Sequence, residues 1–149
     1  MRSSFGNLAA ELAAYQCILM VHTDVRRLRE QVREIARVYN WPFLSVGREL
    51  SDALLDEPPS RRPQAADQFL KSTITASAPG PLVCGETDIW FEPSLELDPL
   101  ALLRHASRIT RLLVAWPGSY TNDALAYAVP KHSHYRVWKD PQAKVWALD

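Results

Sequence analysis

The residues best placed for chemistry follow the apolar run 17–21, where an α/β nucleotide-binding domain carries its phosphate loop. The stretch reads His22-Thr23-Asp24-Val25-Arg26-Arg27-Leu28-Arg29. A loop of the form G-x-x-x-x-G-K-[ST] needs glycines that let backbone amides converge on phosphates, a lysine that neutralises them and a hydroxyl that holds magnesium. None of those four positions matches when the pattern is aligned with the end of the run, for they hold His22, Arg27, Leu28 and Arg29. The stretch therefore predicts a degenerate phosphate loop and a weak nucleotide site.

Acidic residues behind a neighbouring strand would form the second half of an ATPase site, one holding magnesium and one polarising water. In LVCGETDIWFEP, residues 82–93, Gly85 stands where a strand-end aspartate would be wanted, and Glu86 and Asp88 follow it. Acids are also common in solvated turns. A plain surface turn and a remnant of a cation-binding edge both remain open, with the turn favoured.

A set of arginines recurs at intervals of three to four residues and could follow a DNA backbone: Arg26, Arg29, Arg33 and Arg37. Glu30 and Glu34 lie among them at spacings that allow ion pairs along one helix. An ion-paired, solvated helix face is therefore favoured over a DNA contact. The sequence Lys131-His132-Ser133-His134 lacks a third ligand at suitable spacing, so we expect no metal site there.

The elements that would position these residues alternate between strand and helix. Short apolar strands are predicted at 17–21, 43–46, 82–84 and 112–116, and helices at 4–15, 24–39, 48–55, 63–78 and 98–107. About eight residues separate the fourth strand from 125–129, too few for a helical crossover, so that strand should return antiparallel. The pattern predicts an α/β domain with a mostly parallel sheet and an antiparallel edge strand. The inner face of the second helix should hold Val25, Leu28, Val32, Ile35, Ala36 and Tyr39.

Bulk composition narrows the class of protein. The 149 residues, 47% of them apolar, predict one domain over 1–149, with a leading helix in 1–16 and a C-terminal tail at 139–149. Seventeen basic residues balance seventeen acidic ones, so no overall charge favours nucleic acid or an anionic membrane. Cys17 and Cys84 stand in apolar runs as buried small hydrophobes. With neither an export signal nor a membrane span expected, the cytoplasm is the default location.

The residues from Asp88 onward resemble BrxF, the small P-loop protein of type 3 BREX phage-defence systems. The likeness covers about residues 17–138 and includes the Trp41-Pro42 pair before the second strand. Its motifs combine an aromatic and acid-proline pair, an L-x-x-D-P-L helix start, W-x-G-x-Y, and L-x-Y-A-x-P-x-H-x-x-Y. The matching positions are Phe91, Glu92, Pro93, Leu95, Asp98, Pro99, Leu100, Trp116, Gly118, Tyr120, Leu125, Tyr127, Ala128, Pro130, His132 and Tyr135.

The resemblance implies a three-layer αβα P-loop NTPase-like domain within a bacterial antiviral assembly. Its partners would be a large ATPase, a phosphatase-like protein and a DNA methyltransferase. The chain departs from the family at the glycine-rich loop and at Gly85 together. We therefore expect a non-catalytic scaffold or regulatory subunit with no cofactor. The alternatives are an ATP- and magnesium-binding ATPase or switch subunit of the same system, and a small DNA-binding subunit.

Overall fold

The computed structural model describes residues 7–128 and 133–148, which form helices and strands in the predicted alternation. The helices are α1 (Leu8–Tyr15), α2 (Val25–Tyr39), α3 (Val46–Leu54), α4 (Arg62–Thr75) and α5 (Pro99–Ala106). The strands are β1 (Cys17–His22), β2 (Phe43–Ser45), β3 (Leu82–Gly85), β4 (Leu112–Thr121), β5 (Ala124–Tyr127), β6 (Arg136–Lys139) and β7 (Lys144–Ala147). Short 3-10 helices cover Pro59–Arg61, Thr87–Phe91 and Pro93–Leu95.

Five strands form a parallel sheet in the order β2-β3-β4-β1-β7. β1 lies inside it, with β4 on one side and β7 on the other. The distal half of β4, from Gly118, pairs antiparallel with β5, and β5 pairs antiparallel with β6. The predicted mostly parallel sheet with an antiparallel strand is confirmed.

Helices cover both faces of the parallel sheet. Side chains alternate along β1, so that Leu19 and Val21 pack with α3, α4 and α5, whereas Ile18 and Met20 pack with α1 and α2. Strands buried on both faces read as continuous apolar runs, which is why 17–21 and 112–116 are recognisable in the sequence. The result is a three-layer αβα architecture, as predicted. Cys17 and Cys84 are buried free thiols within these layers.

Three local features differ from the predictions. β4 continues past Trp116 to Thr121, because its hydrogen-bonding partner changes from the parallel sheet to β5. Val25 is 45% exposed rather than internal, since it lies in the first turn of α2 at the sheet's carboxyl edge. The predicted C-terminal tail contains β7, which extends the sheet beside β1, and the Leu148 amide donates to the Val21 carbonyl at 3.0 Å.

None of the described helices combines the length and the apolar character that crossing a membrane requires. The predicted positions before Asn7, at 129–132 and at Asp149 lie outside the described residues.

Candidate functional site

A cleft of about 430 Å³ opens at the carboxyl edge of the parallel sheet, between α2, α3, the segment after β3 and the middle of β4. In open α/β sheets this edge is the usual place for a ligand, because loops and helix N-termini converge there. The lining residues are Val25, Leu28, Arg29, Gly47, Ser51, Glu86, Thr87, Asp88, Ile89, Ala115 and Pro117. Five of the predicted site residues thus meet in one place, namely Val25, Leu28, Arg29, Glu86 and Asp88. The other five positions of the degenerate loop lie beside the cleft lining rather than in it.

The connection from β1 to α2 consists of Thr23 and Asp24 alone. The Asp24 amide donates to His22 Nδ1 at 2.7 Å, and the Asp24 carboxylate accepts from the amides of Arg26 and Arg27 at 3.1 and 3.2 Å. Asp24 is thereby the N-cap of α2. Backbone amides at a helix N-terminus are what would bind a phosphate. Here the protein's own side chains occupy them, and the connection is too short to form a phosphate-binding loop.

Glu86 has both carboxylate oxygens engaged. Ser45 Oγ donates to Oε1 at 2.6 Å, and Arg33 Nη2 lies 2.9 Å from Oε2. The hydrogen bond from Ser45 is the main reason that the pKa of Glu86 is lowered; burial opposes the shift, while Arg33 and Arg29 add to it. The carboxylate is therefore held ionised by internal partners. Ser45 and Arg33 use two of the roughly four lone-pair sites of the carboxylate.

Gly85 is explained by packing against Phe43. A Cβ added at Gly85 would lie 2.5 Å from Phe43 Cζ, far inside van der Waals contact. The Phe43 ring also carries the Arg33 guanidinium, whose Cζ lies 4.7 Å from the ring centroid. An acid at position 85 is thus incompatible with this ring. The ring, the arginine and Glu86 form one connected unit that joins α2 to β2 and β3.

Asp88 interacts with Tyr127, the last residue of β5. Burial, followed by the charge of Asp88 and a hydrogen bond to it, raises the pKa of Tyr127 to about 12. Thr87 donates its hydroxyl hydrogen to the Ala115 carbonyl at 2.5 Å, so the turn after β3 is fixed to β4. The two predicted acids, Glu86 and Asp88, therefore line the same cleft but are each committed to a protein partner.

Three of the four candidate DNA-binding arginines are ion-paired. Arg26 Nε lies 3.9 Å from Glu30, and Arg37 makes two hydrogen bonds to Glu34, at 2.6 and 3.1 Å. These pairs follow the sequence spacing, whereas the pairing of Arg33 with Glu86 was not indicated by it. Arg29, which lines the cleft, has no ion pair among residues 7–128 and 133–148. The face as a whole is therefore less basic than its arginines suggest.

Three of the motif residues, Phe91, Trp116 and Tyr127, form an aromatic cluster with Trp138. Phe91 stacks on Tyr127 with centroids 3.9 Å apart, and its ring meets Trp116 edge-on at 5.0 Å. Trp138 packs edge-on against Trp116 at 5.2 Å. The Trp116 indole donates to the Ala126 carbonyl at 3.0 Å, and Gly118 leaves space for the backbone of that same residue.

Those motifs therefore have a structural function. Asp98 caps α5 by accepting from the Ala101 amide at 3.2 Å, and Pro99 begins that helix. Tyr120 donates its hydroxyl hydrogen to Asp123 in the turn between β4 and β5. The aromatic cluster joins the β4–β5–β6 hairpins to Phe91 in the segment after β3. The predicted motif positions Pro130 and His132 lie outside the described residues.

The part of the chain that the structure describes contains no group of three or more histidine, cysteine, aspartate or glutamate residues arranged to hold a metal ion. Lys131 and His132 of the sequence considered above are not among the described residues. No protein-family model, curated protein or solved structure matches the chain significantly. Sequence reasoning missed Ser45 and Ser51, and it named Arg33 without its partner Glu86, because contacts between separate elements leave no spacing pattern in the chain.

Proposed function

We propose that the chain is a non-catalytic P-loop-fold subunit of a BREX-like bacterial anti-phage defence system. It acts in the cytoplasm as a scaffold or regulator through protein contacts. The observation that carries the non-catalytic assignment is the turn after β1, where Asp24 and His22 already bind the backbone amides. The defence assignment rests on the resemblance of the residues from Asp88 onward.

The geometry of the sheet supports the P-loop-like origin. β1 is an internal strand of the sheet, between β4 and β7, so the turn after it falls at the carboxyl edge, where such domains hold phosphates. The chain keeps that architecture, but it lacks both the glycine-rich phosphate loop after β1 and a strand-end acid after β3. Glu86 is bound by Ser45 and Arg33, and Gly85 accommodates the Phe43 ring. A fold kept without its nucleotide site is suited to holding other proteins.

The alternatives gain less support from the geometry. An ATPase or switch subunit would need amide donors and a free acid for magnesium, and the described residues commit both to internal partners. A DNA-binding subunit would need unpaired basic groups, and ion pairs occupy three of the four arginines considered. The partners in our proposal are the large ATPase, the phosphatase-like protein and the DNA methyltransferase of the same system.

Co-expression of the chain with those three subunits tests the proposal. We expect a stoichiometric complex on size-exclusion chromatography that forms in the presence of apyrase, because assembly needs no nucleotide. Deletion of the gene should abolish phage resistance, and the wild-type gene should restore it. Unchanged resistance after deletion, together with no binding to any of the three subunits, would exclude the proposed function.

A further inference from the structure

Strand β6 has an edge that no described strand covers. Among residues 7–128 and 133–148, β6 pairs with β5 alone. The Asp140 amide donates to the Asp123 carbonyl at 2.8 Å, in the register that continues this pairing. Because hydrogen-bonded and non-bonded pairs alternate along an antiparallel ladder, the amides and carbonyls of Val137 and Lys139 point away from β5. The Tyr135 carbonyl does the same, since it shares a planar peptide with the inward-pointing amide of the next residue.

Apolar side chains accompany these outward backbone groups. Tyr135 is 37% exposed and Val137 is 45% exposed, and they share one face of the strand with Lys139 because side chains alternate. The other face carries Arg136 and Trp138, with the guanidinium carbon 4.5 Å from the ring centroid. An exposed edge that combines free backbone groups with apolar side chains is a template for pairing with another strand.

We infer that β6 pairs antiparallel with β6 of a second copy of this chain, about a twofold axis at Val137. The Val137 amide of each copy then donates to the Val137 carbonyl of the other. The Lys139 amide of each copy donates to the Tyr135 carbonyl of the other, so the outward groups of one edge meet those of the same edge. The hairpins of two molecules would form one continuous antiparallel sheet. This inference goes beyond the proposed function, since it concerns the chain by itself.

The side chains of residues 135–139, Tyr-Arg-Val-Trp-Lys, are complementary to themselves in this register. Lys139 lies opposite Tyr135 of the other copy, and Arg136 lies opposite Trp138. Each cation therefore faces an aromatic ring, an attractive pair that the twofold axis makes twice. Charged residues at a sheet edge oppose pairing with unrelated strands, so they favour a second copy over another protein.

The neighbouring symmetric registers fit less well. An axis centred on Arg136 would place the two guanidinium groups directly opposite each other, which is repulsive. An axis centred on Trp138 would set Tyr135 against Pro141, which has no amide hydrogen to donate. The register centred on Val137 avoids both defects.

Cysteine cross-linking of the isolated chain tests this register. Residues opposite each other in a hydrogen-bonded pair have Cα atoms about 5.5 Å apart, which a disulfide can span. Val137→Cys should therefore give a disulfide-linked dimer under mild oxidation, visible on a non-reducing gel. Val38→Cys is the matched control, because Val38 is 50% exposed on α2 outside this edge, and it should stay monomeric. The native Cys17 and Cys84 are buried.

A charge exchange tests the pairing without a cross-link. Tyr135→Lys places two ammonium groups opposite each other at both ends of the pairing, and it should weaken dimerisation roughly ten-fold in sedimentation equilibrium. Adding Lys139→Glu to that variant sets opposite charges face to face and should restore the wild-type affinity. Urea unfolding confirms that both variants remain folded.

Three results would overturn the inference. The first is a wild-type chain that stays monomeric at millimolar concentration. The second is a dimer that Tyr135→Lys leaves unchanged, and the third is cross-linking of Val38→Cys but not of Val137→Cys, since both would assign the interface to another surface. All of these experiments use the isolated chain, so a monomer that still binds the three subunits refutes the dimer and leaves the proposed function standing.

Discussion

Glu86 follows the strand-end position where an ATPase would use a free acid, and its environment explains why it does not act as one. Its backbone adopts a left-handed conformation at φ 53°, which turns the side chain toward Ser45 and Arg33. Ser45 precedes α3 but forms no capping hydrogen bond with that helix, and its hydroxyl donates to Glu86. The carboxylate thus stabilises the fold by joining three elements.

A pH-dependent loss of stability should follow from this contact. The pKa of Glu86 is lowered in the folded state, so its contribution is present above the ordinary glutamate pKa of about 4.3 and is lost as the pH falls below it. In urea unfolding, wild type should exceed Glu86→Gln in stability near neutral pH, and the difference should vanish at acidic pH. The exposed Glu96 provides the matched control, and Glu96→Gln should show no such trend. A difference independent of pH would contradict the ionic role of Glu86.

Gly85→Ala tests the steric explanation for the missing strand-end acid. The added methyl would overlap Phe43, so we expect a loss of about 1 to 3 kcal/mol in the free energy of unfolding. In a Phe43→Leu background the ring is gone, and the same substitution should cost much less. Urea denaturation of the four variants gives this coupling directly. Equal costs in both backgrounds would show that Phe43 does not exclude a side chain at position 85.

At the scale of elements, the turn between β1 and α2 is too short to form a phosphate-binding loop, and this determines the character of the site. Two residues connect the strand to the helix, and the side chain of one of them caps that helix. The sequence indicates this element well, since Asp24 stands just before a helix with a regular apolar face. The absence of glycine predicts that no phosphate loop forms. The capping contacts explain what takes its place.

Asp24→Ala should remove the cap of α2 and cost about 1 kcal/mol of stability, because the amides of Arg26 and Arg27 lose their acceptor. Asp24→Asn keeps a capping oxygen and should recover most of that loss. Urea unfolding monitored by circular dichroism measures both variants. If Asp24→Ala were as stable as wild type, the Asp24 carboxylate would not be holding these amides. The amides would then be available to a phosphate.

At the scale of the whole molecule, β7 forms the edge of the parallel sheet beside β1. Val145 pairs with Leu19 and packs against the core, while Trp146 packs on the opposite face. Removal of residues 141–149 should lower the free energy of unfolding by at least about 2 kcal/mol, since it exposes these apolar contacts. Size-exclusion chromatography should also show association through the opened edge of β1. Removal of Asp149 alone is the control, and equal stability of both truncated chains would contradict this role.

Much of the architecture could be predicted because its signals are local. The buried strands are continuous apolar runs, and the pair Asp98-Pro99 indicates the start of α5. β6 and β7 could not be recognised, since short strands with Arg136, Lys139 and Lys144 at their ends look like a solvated tail. The pairs that define the cleft were also inaccessible, because residues as far apart as Arg33 and Glu86 meet only after the sheet has formed.

The central claim is that the protein's own side chains occupy the amides that would hold a phosphate after β1. Thermal unfolding with and without millimolar magnesium-ATP tests it most directly. ATP at a concentration of about 100 times its Kd would add about 2.7 kcal/mol to the free energy of unfolding and raise Tm by several degrees. We predict no saturable change in Tm. A saturable rise that disappears in Arg26→Ala or Arg29→Ala would contradict the account.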